Sequence, residues 1–112
     1  MWAYVTELTL EQVLWCKVMQ HTTNVFSNRA CIKIKSGAIW AGINSAASTS
    51  AGTYQEKTTN VSPIRGWNFI VVRFDVSSGV SRAITYLRKP DGVQVVGSYV
   101  TFTSSFLDSS SF

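Results

Sequence analysis

Hydrophobic and polar positions alternate with a period of two through most of this chain, and that period belongs to half-buried β-strands. The longest uninterrupted run is Gly66-Trp67-Asn68-Phe69-Ile70-Val71-Val72-Arg73-Phe74-Asp75. A glycine opens it, Asp75-Val76-Ser77-Ser78-Gly79 closes it with turn residues, and aromatic and β-branched side chains fill it. Trp67, Phe69 and Val71 fall on one face, with Ile70, Val72 and Phe74 on the other. Both faces are apolar, so the run reads as a central strand covered on both sides.

Shorter strands are arranged around it. Residues 1–5 form one, with Trp2 and Tyr4 on the same side. Residues 13–19 favour a strand, although Thr9 with Gln12 makes a capping-box pattern and Leu10, Val13, Leu14 and Val18 also fit a helical stripe over 10–19. Residues 21–29 are polar and turn-like. In 30–35, Ile32 and Ile34 face the core while Cys31, Lys33 and Lys35 face away, and Ser36-Gly37 turns the chain into a strand over 38–43. Residues 44–60 are rich in Ser, Thr, Ala and Gly, and a connection of that length carries a strand of its own near 53–59.

After the central run, a tight turn leads to a strand over 81–87, and Pro90-Asp91-Gly92 has the chemistry of a further turn. Residues 93–102 form one strand, or two divided at Gly97, and Phe106, Leu107 and Phe112 suggest that the Ser-rich tail packs. Many short strands, regular turns and no sustained helical period predict an all-β, antiparallel sandwich or barrel. At 112 residues, a single domain over 1–112 is expected.

Composition sharpens this picture only a little. The formal net charge is +4, but the cations are scattered at strand-like spacing and form no block, which argues against a nucleic-acid stripe. No stretch is long and apolar enough for a membrane helix, and no basic-then-apolar leader stands at the N-terminus. Cys16 and Cys31 read as buried thiols, with a disulfide left open because their segments could be neighbouring strands. Trp2, Trp15 and Trp67 are assigned to the core.

Catalytic chemistry finds little support. Glu7 with Glu11 is the nearest approach to a carboxylate pair and reads as exposed charge on a connecting segment. His21, the only histidine, has no cysteine or acid at a metal-ligand or triad spacing. No catalytic residues are assigned, and a non-enzyme is expected.

Taken in order, the elements resemble the concanavalin A-like lectin/glucanase superfamily, and within it laminin G-like domains. Met1-Trp2-Ala3-Tyr4-Val5 resembles the family's early Trp-bearing strand, 13–18 the next strand, and 30–43 its hairpin. The run 66–75 resembles its "W-x-hydrophobic-x-V-x-F-D" strand, and 82–92 the strand ending in a "Y-x-D-G" turn. The resemblance implies a two-sheet β-sandwich of the concanavalin A-like jelly-roll type, cut down at both ends.

It also implies a non-enzymatic binding module for carbohydrate, of the kind found on extracellular, virion-associated or phage-tail proteins. The candidate ligand-binding residues are Trp40, Asn44 and Tyr54, with a core position as the competing reading for Trp40. Calcium sites in such relatives use loop carboxylates, which leaves Asp75 and Asp91 as weak candidates whose turn-stabilising role is favoured, and no cofactor is assigned. Missing edge strands imply a homo-oligomer whose interface includes residues 1–5 or 100–112. The alternative reading is an assembly domain that self-associates through those edges without a small ligand.

Overall fold

The computed structural model describes residues 1–22, 25–44, 54–78 and 80–103, with 18–22 and 25–29 described by backbone alone. The elements are β1 (Trp2–Val5), β2 (Gln12–Thr22), β3 (Val25–Lys35), β4 (Ala38–Asn44), β5 (Tyr54–Thr58), β6 (Gly66–Ser77), β7 (Val80–Arg88), β8 (Gln94–Val96) and β9 (Val100–Phe102). No helix occurs among the described residues. The front sheet has the order β1-β6-β7, with β8 and β9 sharing the far edge of β7, and the back sheet has the order β2-β3-β4-β5. Every pairing is antiparallel. The expected two-sheet sandwich is therefore the fold, with β6 paired on both sides, to β1 and to β7.

Local chemistry explains the junctions. Ser36 (φ 51°) and Gly37 (φ 76°) both lie in the left-handed region, the geometry of a two-residue hairpin that matches strand twist, and they close β3 onto β4 with Lys35 opposite Ala38. Between β7 and β8, Lys89 N–H donates to Val93 O and Gly92 N–H to Lys89 O, while Asp91 Oδ1 accepts from Val93 N–H. Gly97 separates β8 from β9. A Cβ there would stand 2.8 Å from Val61 Cγ2 and 2.9 Å from Thr59 O, so only glycine lets the chain pass. The long strand signal before Cys31 was less legible. β2 and β3 continue through polar residues to Thr22 and from Val25, where a turn-like stretch was expected. Cross-strand pairing of the two long strands overrides weak local propensity.

The core lies between the sheets. Ile32, Ile39, Val61, Ile70 and Leu87 form one buried cluster, and Ala41, Ile43, Ala83 and Phe102 form another. Val61 belongs to the connector that crosses from β5 to β6. Asn68 anchors that connector from inside the sandwich: its Oδ1 accepts from Ile64 N–H, and its Nδ2 donates to Ile64 O and Gly66 O. A buried amide with its hydrogen bonds made costs little, so it can sit beside Ile70 on the inner face.

Three tryptophans depart from expectation. Trp2, Trp15 and Trp67 are 58%, 37% and 53% exposed, not core. On β6 the buried parity is Asn68, Ile70, Val72 and Phe74, which puts Trp67, Phe69 and Val71 on the outer face of the front sheet. The cysteines depart too. Cys16 lies directly opposite Cys31, and the two form a disulfide that staples β2 to β3, where thiols were favoured. Their opposition depends on a register shift between Val13 and Trp15, an irregularity that strand patterning does not reveal.

Candidate functional site

The outer face of the front sheet carries an unusual surface. Met1 and Ile70 exchange both backbone hydrogen bonds, the N-terminal ammonium donating to Ile70 O at 2.7 Å and Ile70 N–H to Met1 O at 2.8 Å. The antiparallel alternation therefore leaves Trp2 opposite Phe69 and Tyr4 opposite Trp67 as non-hydrogen-bonded pairs, the pairs whose side chains approach closest. Both pairs are in ring contact. Trp2 and Phe69 have centroids 5.1 Å apart and tilted, and Tyr4 and Trp67 lie edge to face at 5.2 Å. These contacts stabilise the short β1, yet Trp2, Tyr4 and Trp67 all remain more than half exposed. Four rings on the outside of one sheet form a platform.

Cross-strand register extends the platform sideways. Phe69 faces Arg88 on β7, and Arg88 faces Gln94 on β8, so Trp2, Phe69, Arg88 and Gln94 make one row across four strands. The next row is Val71, Tyr86 and Val96. Farther along, Asp75 binds Arg82 Nε at 2.6 Å and Arg73 Nε at 3.3 Å, and the Arg82 guanidinium lies 3.8 Å from the centre of the Tyr99 ring. At that end the two arginines share one carboxylate, and Arg82 is packed under Tyr99. At the other end, Glu7 Oε1 accepts from the backbone of Thr9 and Leu8 and from the Thr9 hydroxyl, which holds its carboxyl below the ordinary range, while Glu7 Oε2 lies 3.8 Å from Arg65.

The residues expected to bind ligand sit on the opposite side of the molecule, on the outer face of the back sheet. Trp40 Nε1 donates to Lys35 O at 2.9 Å, and the Lys35 ammonium stands 4.4 Å from the centre of its ring. Tyr54 donates to Glu56 Oε2, and its ring lies across Gly42, where a Cβ would come within 2.0 Å of the hydroxyl oxygen. Burial pushes the Tyr54 phenol up to about 12. Glu56 is pushed up by burial, but hydrogen bonds from Lys35 and Lys33 outweigh this and leave it below the usual carboxylate range. Lys33 is raised in turn, chiefly by its 2.8 Å bond to Glu11. Asn44, opposite Tyr54, is buried. Trp40, Asn44 and Tyr54 are thus close together, but they are tied into a salt-bridged layer, and the loop expected to complete the site (45–53) lies outside the described residues.

The other candidates have structural duties. Asp75 lies within β6 and pairs with two arginines, while Asp91 caps the turn after β7. No group of three or more potential metal ligands occurs among the described residues. Glu7 and Glu11 serve separate partners, Arg65 with its local backbone and Lys33. His21 falls where side chains are not described.

The front-face rings were missed because large aromatics are usually buried. A signal was nevertheless present: Arg73 and Asp75 share the parity of Trp67, Phe69 and Val71, and two charges on one parity mark the solvent side of a strand. Compared with protein-family models, with curated proteins and with solved structures, the chain matches none of them.

Proposed function

We propose that this domain is a non-enzymatic carbohydrate-binding module, a concanavalin A-like sandwich of the laminin G-like kind, and that it takes its ligand on the four-ring face of β1 and β6. The exposure of Trp2, Tyr4 and Trp67 on a rigid sheet is the observation that carries this reading. Aromatic rings offer large, rigid, amphipathic contact area at low entropic cost, which suits the C–H faces of sugar rings. Support for a non-catalytic role comes from the carboxylates: Glu7, Glu11, Glu56 and Asp75 each bind a cation, and Asp91 binds a turn amide. The Cys16–Cys31 disulfide supports an oxidising, extracellular or virion-surface setting.

A second reading, self-assembly, draws on the same face, because contiguous exposed apolar surface also marks protein interfaces. A glycan array followed by calorimetry separates the two. Carbohydrate binding predicts hits whose affinity falls about tenfold in Trp2→Ala or Trp67→Ala, with Tyr54→Ala binding like the parent protein. An array without hits, together with sedimentation of a dimer that Trp2→Ala dissociates, would establish assembly instead.

A further inference from the structure

We infer that the sugar recognised by this face is acidic, a hexuronate-type residue whose carboxylate is held by Arg88 with Lys89 beside it. The inference rests on the carbohydrate reading above and names the ligand class for the same surface. A cleft of about 440 Å³ opens along one end of the ring row, lined by Trp2, Phe69, Arg88, Lys89, Pro90 and Gly92. One wall is aromatic and the other cationic. Among the described residues the two cations have no carboxylate partner, and Asp91, the acid nearest in sequence, directs Oδ1 to the amide of Val93. Every other arginine on this side has a carboxylate contact: Arg65 with Glu7, and Arg73 and Arg82 sharing the one carboxylate of Asp75.

Register supplies the distance. Arg88 is the cross-strand neighbour of Phe69, about 4.8 Å away in the hydrogen-bonding direction. A uronic acid carries its carboxylate directly on a ring carbon. With its apolar face stacked on Trp2 and Phe69, that carboxylate reaches the next strand, where a guanidinium fork matches its planar geometry. A single-stranded nucleic acid fits less well. It brings a phosphate with every nucleotide and needs cations along the whole ring platform, whereas the two cations of this face without a carboxylate contact, Arg88 and Lys89, both line one end of it.

The test compares binding of the intact domain to a soluble polyuronate, a neutral polymer of matching linkage, a sulfated neutral polymer and an oligothymidylate, by calorimetry at two salt concentrations. The expected result is polyuronate binding at least about tenfold tighter than neutral polymer, a preference lost in Arg88→Gln, reduced in Lys89→Gln and only partly kept in Arg88→Lys. Lys57→Gln, on β5 of the other sheet, controls for net charge and should leave the preference intact. Equal binding of acidic and neutral polymers, abolished by Trp2→Ala, would overturn the inference while leaving the carbohydrate reading in place. Sulfated polymer binding as tightly as polyuronate would overturn the carboxylate assignment, and tighter binding of the oligonucleotide would overturn both. Binding of none of the polymers would also remove both.

Discussion

On the outer face of the back sheet Trp40 and Tyr54 are held by charge: Lys35 over Trp40, Lys33 near Tyr54, and Glu56 joining the two lysines. On the front sheet Trp2, Tyr4, Trp67 and Phe69 are held only by one another. Both faces have rings and cations, so composition does not separate them. What separates them is where the acids fall. Glu11 and Glu56 stand among the lysines of the back sheet, whereas Glu7 folds onto its own loop and leaves the front platform without a clamp. The front rings stay open because, among the described residues, no acid draws a cation across them.

Neighbours on β6 offer the strongest challenge to this contrast. Ile70 is 1% exposed and points into the core, so Ile70→Ala should cost about 2–5 kcal/mol in chemical denaturation. Trp67, three residues earlier and outward, should cost only about 1 kcal/mol as Ala, the value of an aromatic pair contact with part of its buried area. A Trp67→Ala loss matching that of Ile70→Ala would mean the platform is a second core. Next in size is the staple on the back sheet. Its sequence separation is 15 residues, and replacing both Cys16 and Cys31 by Ala should remove about 3 kcal/mol. The carbohydrate binding proposed for the front sheet should be unchanged in that variant wherever it remains folded.

The smallest effect concerns alkaline pH and belongs to the back sheet alone. The Tyr54 phenol is raised to about 12 in the folded chain against an ordinary 10, and Lys33 is raised above its ordinary 10.5. A raised folded value contributes stability that is complete below the unfolded value and disappears as pH climbs through the folded one. Melting temperature should therefore decline from about pH 10 toward 12. Tyr54→Phe should remove part of that decline, whereas Trp2→Ala should leave it unchanged. An identical slope in the parent and Tyr54→Phe would show that the phenol is not held as described.

Much of the strand arrangement was legible because alternation records which residues share a face. The hairpin at Ser36-Gly37 and the centrality of β6 follow from period-two patterning and turn chemistry, the strand near 53–59 follows from the length of its connection, and the structure settles 93–102 as two strands divided at Gly97. Alternation does not say which face is buried. Residue type puts Trp67 in the core, yet the neighbouring Asn68 is the inward residue because Ile64 and Gly66 supply its hydrogen-bond partners. The candidate site was illegible for a related reason. The Trp2–Phe69 and Phe69–Arg88 neighbours are joined by register between distant segments, and a one-residue slip would have dispersed them to opposite sides.

The edges of the two sheets are closed unequally, and this gives the sandwich a direction of breathing. On one side Gln55 of β5 donates to the Thr103 hydroxyl at 2.6 Å and accepts from the Thr103 amide at 2.8 Å, tying the back sheet to the end of β9 like the spine of a book. On the opposite side a cleft of about 310 Å³ opens between Trp15 and Ile32 of the back sheet and Met1, Ile70 and Val72 of the front. Fluctuations that part the sheets should therefore widen the edge away from the Gln55–Thr103 pair, and hydrogen exchange at the Ile70 amide, beside the cleft, is the measurement that checks it.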